Sequence, residues 1–420
     1  MSKILIYGNK TLNGTIKISG AKNSAVAILP AALLSDEKVV INNVPNISDI
    51  DSILEILEIL NVGIIRNDNT IILDPSTLKN IELPECATNK LRASYYFMSA
   101  LLGKCKKVDM CYPGGCNISK GKRPIDQTLK AFNLLGATVE EYGNKYKIYA
   151  ESLNGNKIEL KMPSVGGTIN SILAAVKAKG KTIIENAARE PEIVNVIDFL
   201  NKMGANILGG GTSTITIEGV NYLSGCSVDI IPDRIETGTY LIIGALIGKN
   251  LKIDNIISEH VQSLLDVFDE MGIVYKKNNN SIIINKSNIF KPVKIVTEGY
   301  PGFPTDLQQP ITALFTQCDG NSKIEEHIWE NRFKHVEYLN KMGANILIDE
   351  KNSSITIKGK TKLNGCEVTA TDLRAGACMV IAGLIADGKT TINNVEHILR
   401  GYENIIEKLK NVGANIELIK

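Results

Sequence analysis

From Ile197 the chain reads IDFLNKMGANILGGGTSTITIEG. Ile197, Leu200 and Met203 fall on one helical stripe, a glycine follows, and apolar and polar residues then alternate through Ile215 and Ile217. A 3.6-residue period giving way to a two-residue period predicts an amphipathic helix followed by a hairpin. Gly204 suits the left-handed position that ends many helices. The pattern returns from Val336 as VEYLNKMGANILIDEKNSSITIKG, with Val336, Leu339 and Met342 as its stripe. Four weaker copies bring the shared glycines to Gly63, Gly136, Gly204, Gly272, Gly343 and Gly413, spaced 73, 68, 68, 71 and 70 residues apart. A second half-pattern recurs with them: a small, apolar helix leads into a strand that ends in Asn or an acid. AILPAALLSDEKVVINNV, SILAAVKAKGKTIIENAA and CMVIAGLIADGKTTINNV show it best, with looser copies around Tyr96, Tyr240 and Ile311. The predicted unit is helix, strand, helix, strand, strand, closed by one further strand, and it occurs six times.

Units of this size cannot bury their own faces, so neighbouring copies must share cores. Two groups of three is the division that ordinary domain sizes favour. The chain opens with strands (KILIYG, GTIKISG) and ends on the bare GANIELIK. Its first strands are therefore expected to complete the unit left open by the last, placing both termini in one domain. LGGGTSTITIEG lacks GxGxxG and Walker spacing and lies between strand-like runs, so it predicts a hairpin turn rather than a phosphate loop.

Composition narrows the class. The chain has 420 residues, 44% hydrophobic and 22% charged, which is a soluble globular balance too long for one core. Its 47 cationic and 45 anionic side chains leave a net charge of +2, so no electrostatic footprint for nucleic acid is present. Apolar runs such as YLIIGALIG are too short to span a bilayer, and no signal-peptide pattern opens the chain. Eight cysteines without a CxxC pair read as free thiols, which implies a reducing, cytoplasmic setting. The four histidines lack zinc-ligand spacing, so no metal site is expected.

The unusual polar residues fall at two equivalent places in the repeat. One is the start of the small apolar helix: Lys22 and Asn23, Arg92, Ser164, Arg234 and Glu236, Asp306, and Asp372 with Arg374. The other is the loop after the next strand, which carries Arg123, Arg332 and Arg400. Equivalent positions in a repeat face the same way, and helix starts present unpaired N–H groups. Together with these cations they predict an anion-binding cleft between the two groups of repeats, where single positions taken alone would pass for caps and solvated charges. Cys116, in CYPGGCNISKGKRP, follows two glycines and lies among Lys120, Lys122 and Arg123. Nearby cations favour a thiolate, and glycines let a loop swing over a cleft. Catalysis, redox sensing and a plain loop cysteine all fit that segment. In PGFPTDLQQ, Thr305 or Asp306 is expected either to cap a helix or to present a general base.

Ten ordered segments carry a resemblance to a known family: SGAKNSA, KLRAS, PGGC, RPID, IIENAAREPEIV, PDRIETGT, FPTDLQ, ENRFKHV, ATDLRA and HILRGYE. Through them the chain resembles, over essentially its whole length, the enolpyruvyl transferases. It is most similar to the branch that serves bacterial peptidoglycan synthesis, and not to the shikimate-pathway branch. The resemblance implies an α/β fold, a two-domain inside-out α/β barrel built from the six repeats. One domain would span residues 22–229, and the other 1–21 with 230–420. It also implies transfer of enolpyruvate from phosphoenolpyruvate to the 3′-hydroxyl of UDP-N-acetylglucosamine, with release of phosphate and without cofactor or metal. By the same resemblance Asp306 takes the hydroxyl proton, and Cys116 is general acid to the methylene carbon and a site of covalent adducts. Lys22, Arg123 and Arg400 hold the phosphate and carboxylate. Asn23, Arg92, the segment Arg123, Pro124, Ile125, Asp126 and Gln127, then Ser164, Val165, Gly166 and Ile328 form the nucleotide-sugar site. Arg332, Asp372 and Arg374 complete the substrate-binding set. The chain departs from the family pattern in three places: the Cys116–Arg123 loop is about two residues longer, Thr128 replaces a frequent histidine, and Met162 and Pro163 precede Ser164. The alternatives are a paralogue using another nucleotide or nucleotide sugar and a non-catalytic UDP-sugar-binding regulator. Oligomeric state is not legible.

Overall fold

The computed structural model describes residues 2–114, 125–330 and 332–419, and they divide into two compact units, 20–231 and 232–419 with 2–19. Each unit has its own apolar core. At the centre of one lie the helices Lys22–Ala31, Tyr96–Cys105 and Val165–Ala175; at the centre of the other lie Arg234–Ile247, Thr305–Phe315 and Leu373–Ile385. These helices are apolar around most of their circumference, and every residue from Ile235 to Ile247 is buried. A helix without a polar face has to be enclosed. The amphipathic helices, such as Pro191–Lys202 and Gln262–Met271, and the small sheets pack around them with their apolar faces inward. Helices inside and sheets outside is the inside-out arrangement.

Each repeat builds one mixed sheet from the same four strand roles. Lys157–Glu159 runs parallel to Lys181–Glu185, which pairs antiparallel with Thr214–Glu218, itself antiparallel to Asn206–Leu208. Lys294–Thr297, Asn321–Glu326, Ser354–Lys358 and Ile346–Asp349 repeat that order. Around Lys107–Cys111 the parallel partner shrinks to a bridge between Leu83 and Met110. The last repeat takes its hairpin strand from the start of the chain: Lys3–Tyr7 lies between Lys389–Asn393 and Asn415–Ile419, antiparallel to both. Leu12–Lys17 and Ser227–Asp229 supply the parallel strands for Gly248–Asp254 and Val39–Asn42.

Two recurrent letters in the repeat have backbone causes. Gly136, Gly204, Gly272, Gly343 and Gly413 take φ between 80° and 106° after the amphipathic helices, as a left-handed helix end requires. The first copy corrects the expectation: Asn61 takes that conformation at φ 60°, and Gly63 instead opens the strand Gly63–Asn67. The Asn61 and Val62 N–H groups reach Glu58 and Leu57 carbonyls, as those of Gly204 and Ala205 reach Asn201 and Leu200. Asparagine tolerates left-handed backbone better than other non-glycine residues, so the substitution is cheap. The Asn that immediately follows four of the strands is also left-handed, at Asn43, Asn186, Asn255 and Asn394. The side-chain amides of the first three donate to Ile230, Leu160 and Ile18 carbonyls at 2.7–3.0 Å, tying the strand end to its parallel neighbour. LGGGTSTITIEG forms the expected hairpin, and a Cβ on Gly209 would meet the Thr214 carbonyl oxygen at 2.1 Å.

Past the C-terminal ends of the central helices in the unit 20–231, Asp36 accepts from Lys104 at 2.5 Å, Lys177 at 2.8 Å and the Leu223 amide at 3.0 Å. Partial burial works against its ionisation, but the two ammonium groups and the amide outweigh that and lower the carboxyl to about 2. A depressed carboxyl pKa contributes stability above the unfolded value and loses it as pH falls through the folded one. With 28% of the side chain exposed, Asp36→Asn is expected to cost about 1–2 kcal/mol at pH 7. Urea titrations should show that gap closing between pH 4 and pH 2; a gap that persists at pH 2 would remove the charge from the account. Among the described residues no helix is long and apolar enough to cross a membrane.

Candidate active site

In the unit 232–419, the helix Thr305–Phe315 begins after Pro304, and its cap position makes no side-chain hydrogen bond. Neither Thr305 nor Asp306 caps it, which corrects the capping expectation. Both side chains turn instead to neighbouring elements. Asp306 Oδ1 accepts from Arg332 Nη1 at 2.9 Å, and Oδ2 accepts from Arg374 Nη2 at 3.0 Å and Nε at 3.2 Å. Arg332 Nη1 also donates to Thr305 Oγ1 at 2.9 Å, and that hydroxyl donates to Glu326 Oε2 at 2.9 Å. Glu326 Oε1 gathers the Thr297 hydroxyl and the Ile328 and Trp329 amides at 2.8–3.0 Å. Ile328 is thereby fixed through its backbone, and its side chain stays half-buried.

Arg374 sits in the first turn of Leu373–Ile385, whose N-cap is Asp372; the Asp372 Oδ1 accepts from the Arg374 and Ala375 amides at 2.8 and 3.0 Å. Its Oδ2 accepts from Gln309 Nε2 at 3.3 Å. The Arg374 guanidinium lies 5.5 Å over the Tyr402 ring, and Tyr402 follows Arg400 and Gly401 at the end of the short helix Glu396–Leu399. The result is two guanidinium side chains, each 4% exposed, on a carboxylate that is 28% exposed. Partial desolvation disfavours the Asp306 anion, but Arg374 and Arg332 outweigh it and hold the carboxyl well below the usual carboxylate range.

In the unit 20–231, Lys22 opens its helix and places Nζ 2.6 Å from Asp49 Oδ2, with side-chain exposures of 15% and 6%. Asn23 follows it, half-buried. Arg92 lies in a tight turn, Arg92–Tyr95, one turn before the apolar helix rather than at its first residue. Its guanidinium stands 5.4 Å over the Tyr95 ring, and burial pulls its pKa down. Ser164 caps Val165–Ala175 by accepting from the Gly167 amide at 3.2 Å. Gly166 packs so closely on Tyr95 that a Cβ there would lie 2.1 Å from the phenol oxygen. Gln127 Oε1 accepts from the Met162 amide at 3.4 Å. Tyr95 thus joins Arg92 to the helix start Ser164–Gly166, with Gln127 bonded to the loop that precedes it. Ile125 is buried before the helix Asp126–Leu134, Asp126 is exposed on it, and Thr128 is 2% exposed. Cys116, Arg123 and Pro124 lie outside the described residues.

Reading the sequence missed Asp49, Glu326 and Tyr95. The first two sit in or beside the loop that follows a strand, the position already marked as unusually polar, so equivalence within the repeat was the available signal.

The comparisons with known proteins agree with this architecture. Residues 6–409 match the family model described as EPSP synthase (3-phosphoshikimate 1-carboxyvinyltransferase). A Listeria monocytogenes protein named UDP-N-acetylglucosamine 1-carboxyvinyltransferase 2 is 49% identical over 415 residues, covering 99% of this chain and 97% of its own. A Geobacillus kaustophilus protein of the same name is 48% identical, covering 99% and 96%. Among solved structures, the enolpyruvyl transferase NikO from Streptomyces tendae superposes with a TM-score of 0.91 at 24% identity, covering 99% of this chain and 98% of that one. EPSP synthase from Acinetobacter baumannii gives 0.76 at 18% identity over both full lengths. With the family model spanning nearly the whole chain and relatives near half-identical end to end, the chain belongs to the EPSP synthase (3-phosphoshikimate 1-carboxyvinyltransferase) family, the enolpyruvyl transferases.

Proposed function

We propose that the chain transfers the enolpyruvyl group of phosphoenolpyruvate to the 3′-hydroxyl of UDP-N-acetylglucosamine, releasing inorganic phosphate, as the committing step of peptidoglycan synthesis. The observation that carries this is near-half identity, across 99% of the chain, to proteins named for that reaction. The residue roles are part of the proposal. Cys116 delivers a proton to the methylene carbon, leaving the central carbon cation-like; the hydroxyl adds there, and Asp306 receives its proton. Lys22, Arg123 and Arg400 hold the phosphate and carboxylate and stabilise the departing phosphate. Return of a methyl proton to the Cys116 thiolate, with departure of phosphate, then restores the vinyl group.

The Asp306 geometry suits a particular kind of base. A carboxylate held by two guanidiniums is ionised but weakly basic. A hydroxyl becomes strongly acidic while it bonds to a cationic carbon, so a weak base suffices at that moment. Arg92 and Ser164–Gly166, which meet at Tyr95, and Gln127, bonded to the Met162 amide before that helix start, are assigned to the nucleotide sugar.

The test is phosphate release from phosphoenolpyruvate, with and without UDP-N-acetylglucosamine, for wild type and Cys116→Ala. Release that requires the sugar nucleotide and falls by about a hundredfold or more in the variant is expected. Release that ignores the substitution would strip Cys116 of its acid role. No release with this acceptor would turn the assignment to another nucleotide sugar.

A further inference from the structure

His335 lies behind the Asp306 cluster, wholly enclosed in the first turn of His335–Lys341. Its ring Nε2 is 3.2 Å from Thr312 Oγ1, and that hydroxyl donates to the Gln308 carbonyl at 2.8 Å. A hydroxyl has one proton, and a carbonyl can only accept. The Thr312 proton is therefore committed, Nε2 must carry the ring hydrogen, and Nδ1 is left as a bare lone pair. Nδ1 has no protein partner among the described residues, and neither do Arg332 Nε, a donor, and Gln309 Oε1, an acceptor. Arg332 is 5% exposed, and Gln309 and His335 are fully buried. The three belong to one neighbourhood. Gln309 and Thr312 are one turn apart on the same helix, His335 bonds Thr312, and Arg332 and Asp372 both act electrostatically on the His335 ring.

Buried polar atoms are rarely left unpaired. One water can accept one hydrogen bond and donate two, which matches one orphan donor and two orphan acceptors. We propose that His335 is a positioning residue for the transfer reaction: a buried water accepts from Arg332 Nε–H and donates to His335 Nδ1 and Gln309 Oε1, fixing the guanidinium that orients Asp306. With Nε anchored, the Arg332 plane cannot turn about its Cδ–Nε bond, and Nη1 keeps its place between Thr305 and Asp306. Burial and the Arg332 charge push the ring pKa down to about 3, so the lone pair persists wherever the enzyme is folded and active. The inference rests on the enolpyruvyl-transfer reading for its kinetic consequence, though not for the tautomer.

The experiment pairs two isosteres with one spectrum. Asparagine places an oxygen acceptor where Nδ1 stood; glutamine keeps a donor near Nε2 and loses the Nδ1 acceptor. His335→Gln is expected to lower kcat about 10- to 100-fold with KM for both substrates within about threefold. His335→Asn should recover most of that loss, although both variants lose similar thermal stability. Equal kcat in the two, or a more active His335→Gln, would overturn the proposal, since a merely structural histidine predicts no such order. Nitrogen-15 spectra of histidine-labelled wild type without substrates supply the independent readout. A hydrogen on Nε2 and none on Nδ1 is expected for His335, assigned through its own backbone; a hydrogen on Nδ1 would end the proposal even if neither variant folds. Failure of wild type to transfer enolpyruvate would leave that spectrum standing, so the two readings fail separately.

Discussion

Asp306→Asn is expected to cut turnover by about two to four decades while leaving UDP-N-acetylglucosamine binding largely intact. Asparagine keeps the shape of the side chain and one acceptor, but it can no longer take up the hydroxyl proton. It also removes the counter-charge from Arg332 and Arg374, whose side chains are each 4% exposed. Leaving enclosed cations unpaired is destabilising. Because 28% of Asp306 meets solvent, and Thr305 and Tyr402 still engage the two guanidiniums, the cost is put at about 1–3 kcal/mol. The charge effect has a sign that can be checked. Asp306 titrates below its unfolded value, so its contribution is complete above that value and disappears as pH falls. Wild type and variant should converge in stability in strong acid. Turnover unchanged within a factor of three, with binding intact by calorimetry, would remove Asp306 from the proton path.

Lys408→Met should strongly destabilise the unit 232–419. Glu236 is 2% exposed, and its Oε1 accepts from Lys408 Nζ at 2.6 Å. Its Oε2 accepts from the Ser19 amide at 2.8 Å, and Lys408 also donates to Ser19 Oγ at 2.7 Å. Burial pushes the Glu236 carboxyl up, and Lys408 offsets only part of that. Removing the ammonium strands an enclosed carboxylate, at about 3–5 kcal/mol. An acid whose folded pKa is raised holds its proton longer when native, so native stability declines as pH rises through that window. Without Lys408 the window widens, so the variant should lose more at pH 8 than at pH 5. Glu236→Gln combined with Lys408→Met should recover most of the loss in guanidinium titrations. A double variant no better than the single one would show that lost Lys408 packing, and not stranded charge, sets the cost.

The parts of the fold written in local pattern could be read from the letters alone. Stripe, glycine and alternation repeat within about 25 residues, so the six copies, their helices and the hairpins of the first five were legible. One slip, Gly63 for Asn61, arose because two residue types tolerate the left-handed conformation and only the backbone shows which adopts it. For the candidate site, single polar positions could be read from the sequence, but their pairing could not. Asp306 meets Arg332 from 26 residues away and Arg374 from 68, and nothing in either flanking sequence names the other. Lys22 looked like a cation awaiting an anion, and the structure gives it Asp49. His335 was invisible for a different reason. A histidine on the apolar stripe side of a short helix reads as core, and its meaning lies in which ring nitrogen Thr312 occupies.

The strand Lys3–Tyr7 imposes an order on biosynthesis. It is synthesised well before both its partners, Lys389–Asn393 and Asn415–Ile419, which lie nearly the whole described chain away. At ordinary elongation rates it waits roughly 20–80 s for them. The unit 20–231 needs nothing beyond Ser227–Asp229 for its own sheets and can finish while the rest is still being made. An apolar β-strand with two open edges is an aggregation hazard during such a wait. The nascent chain therefore carries this strand unpaired through most of the synthesis of both units, and holding chaperones have that long to act.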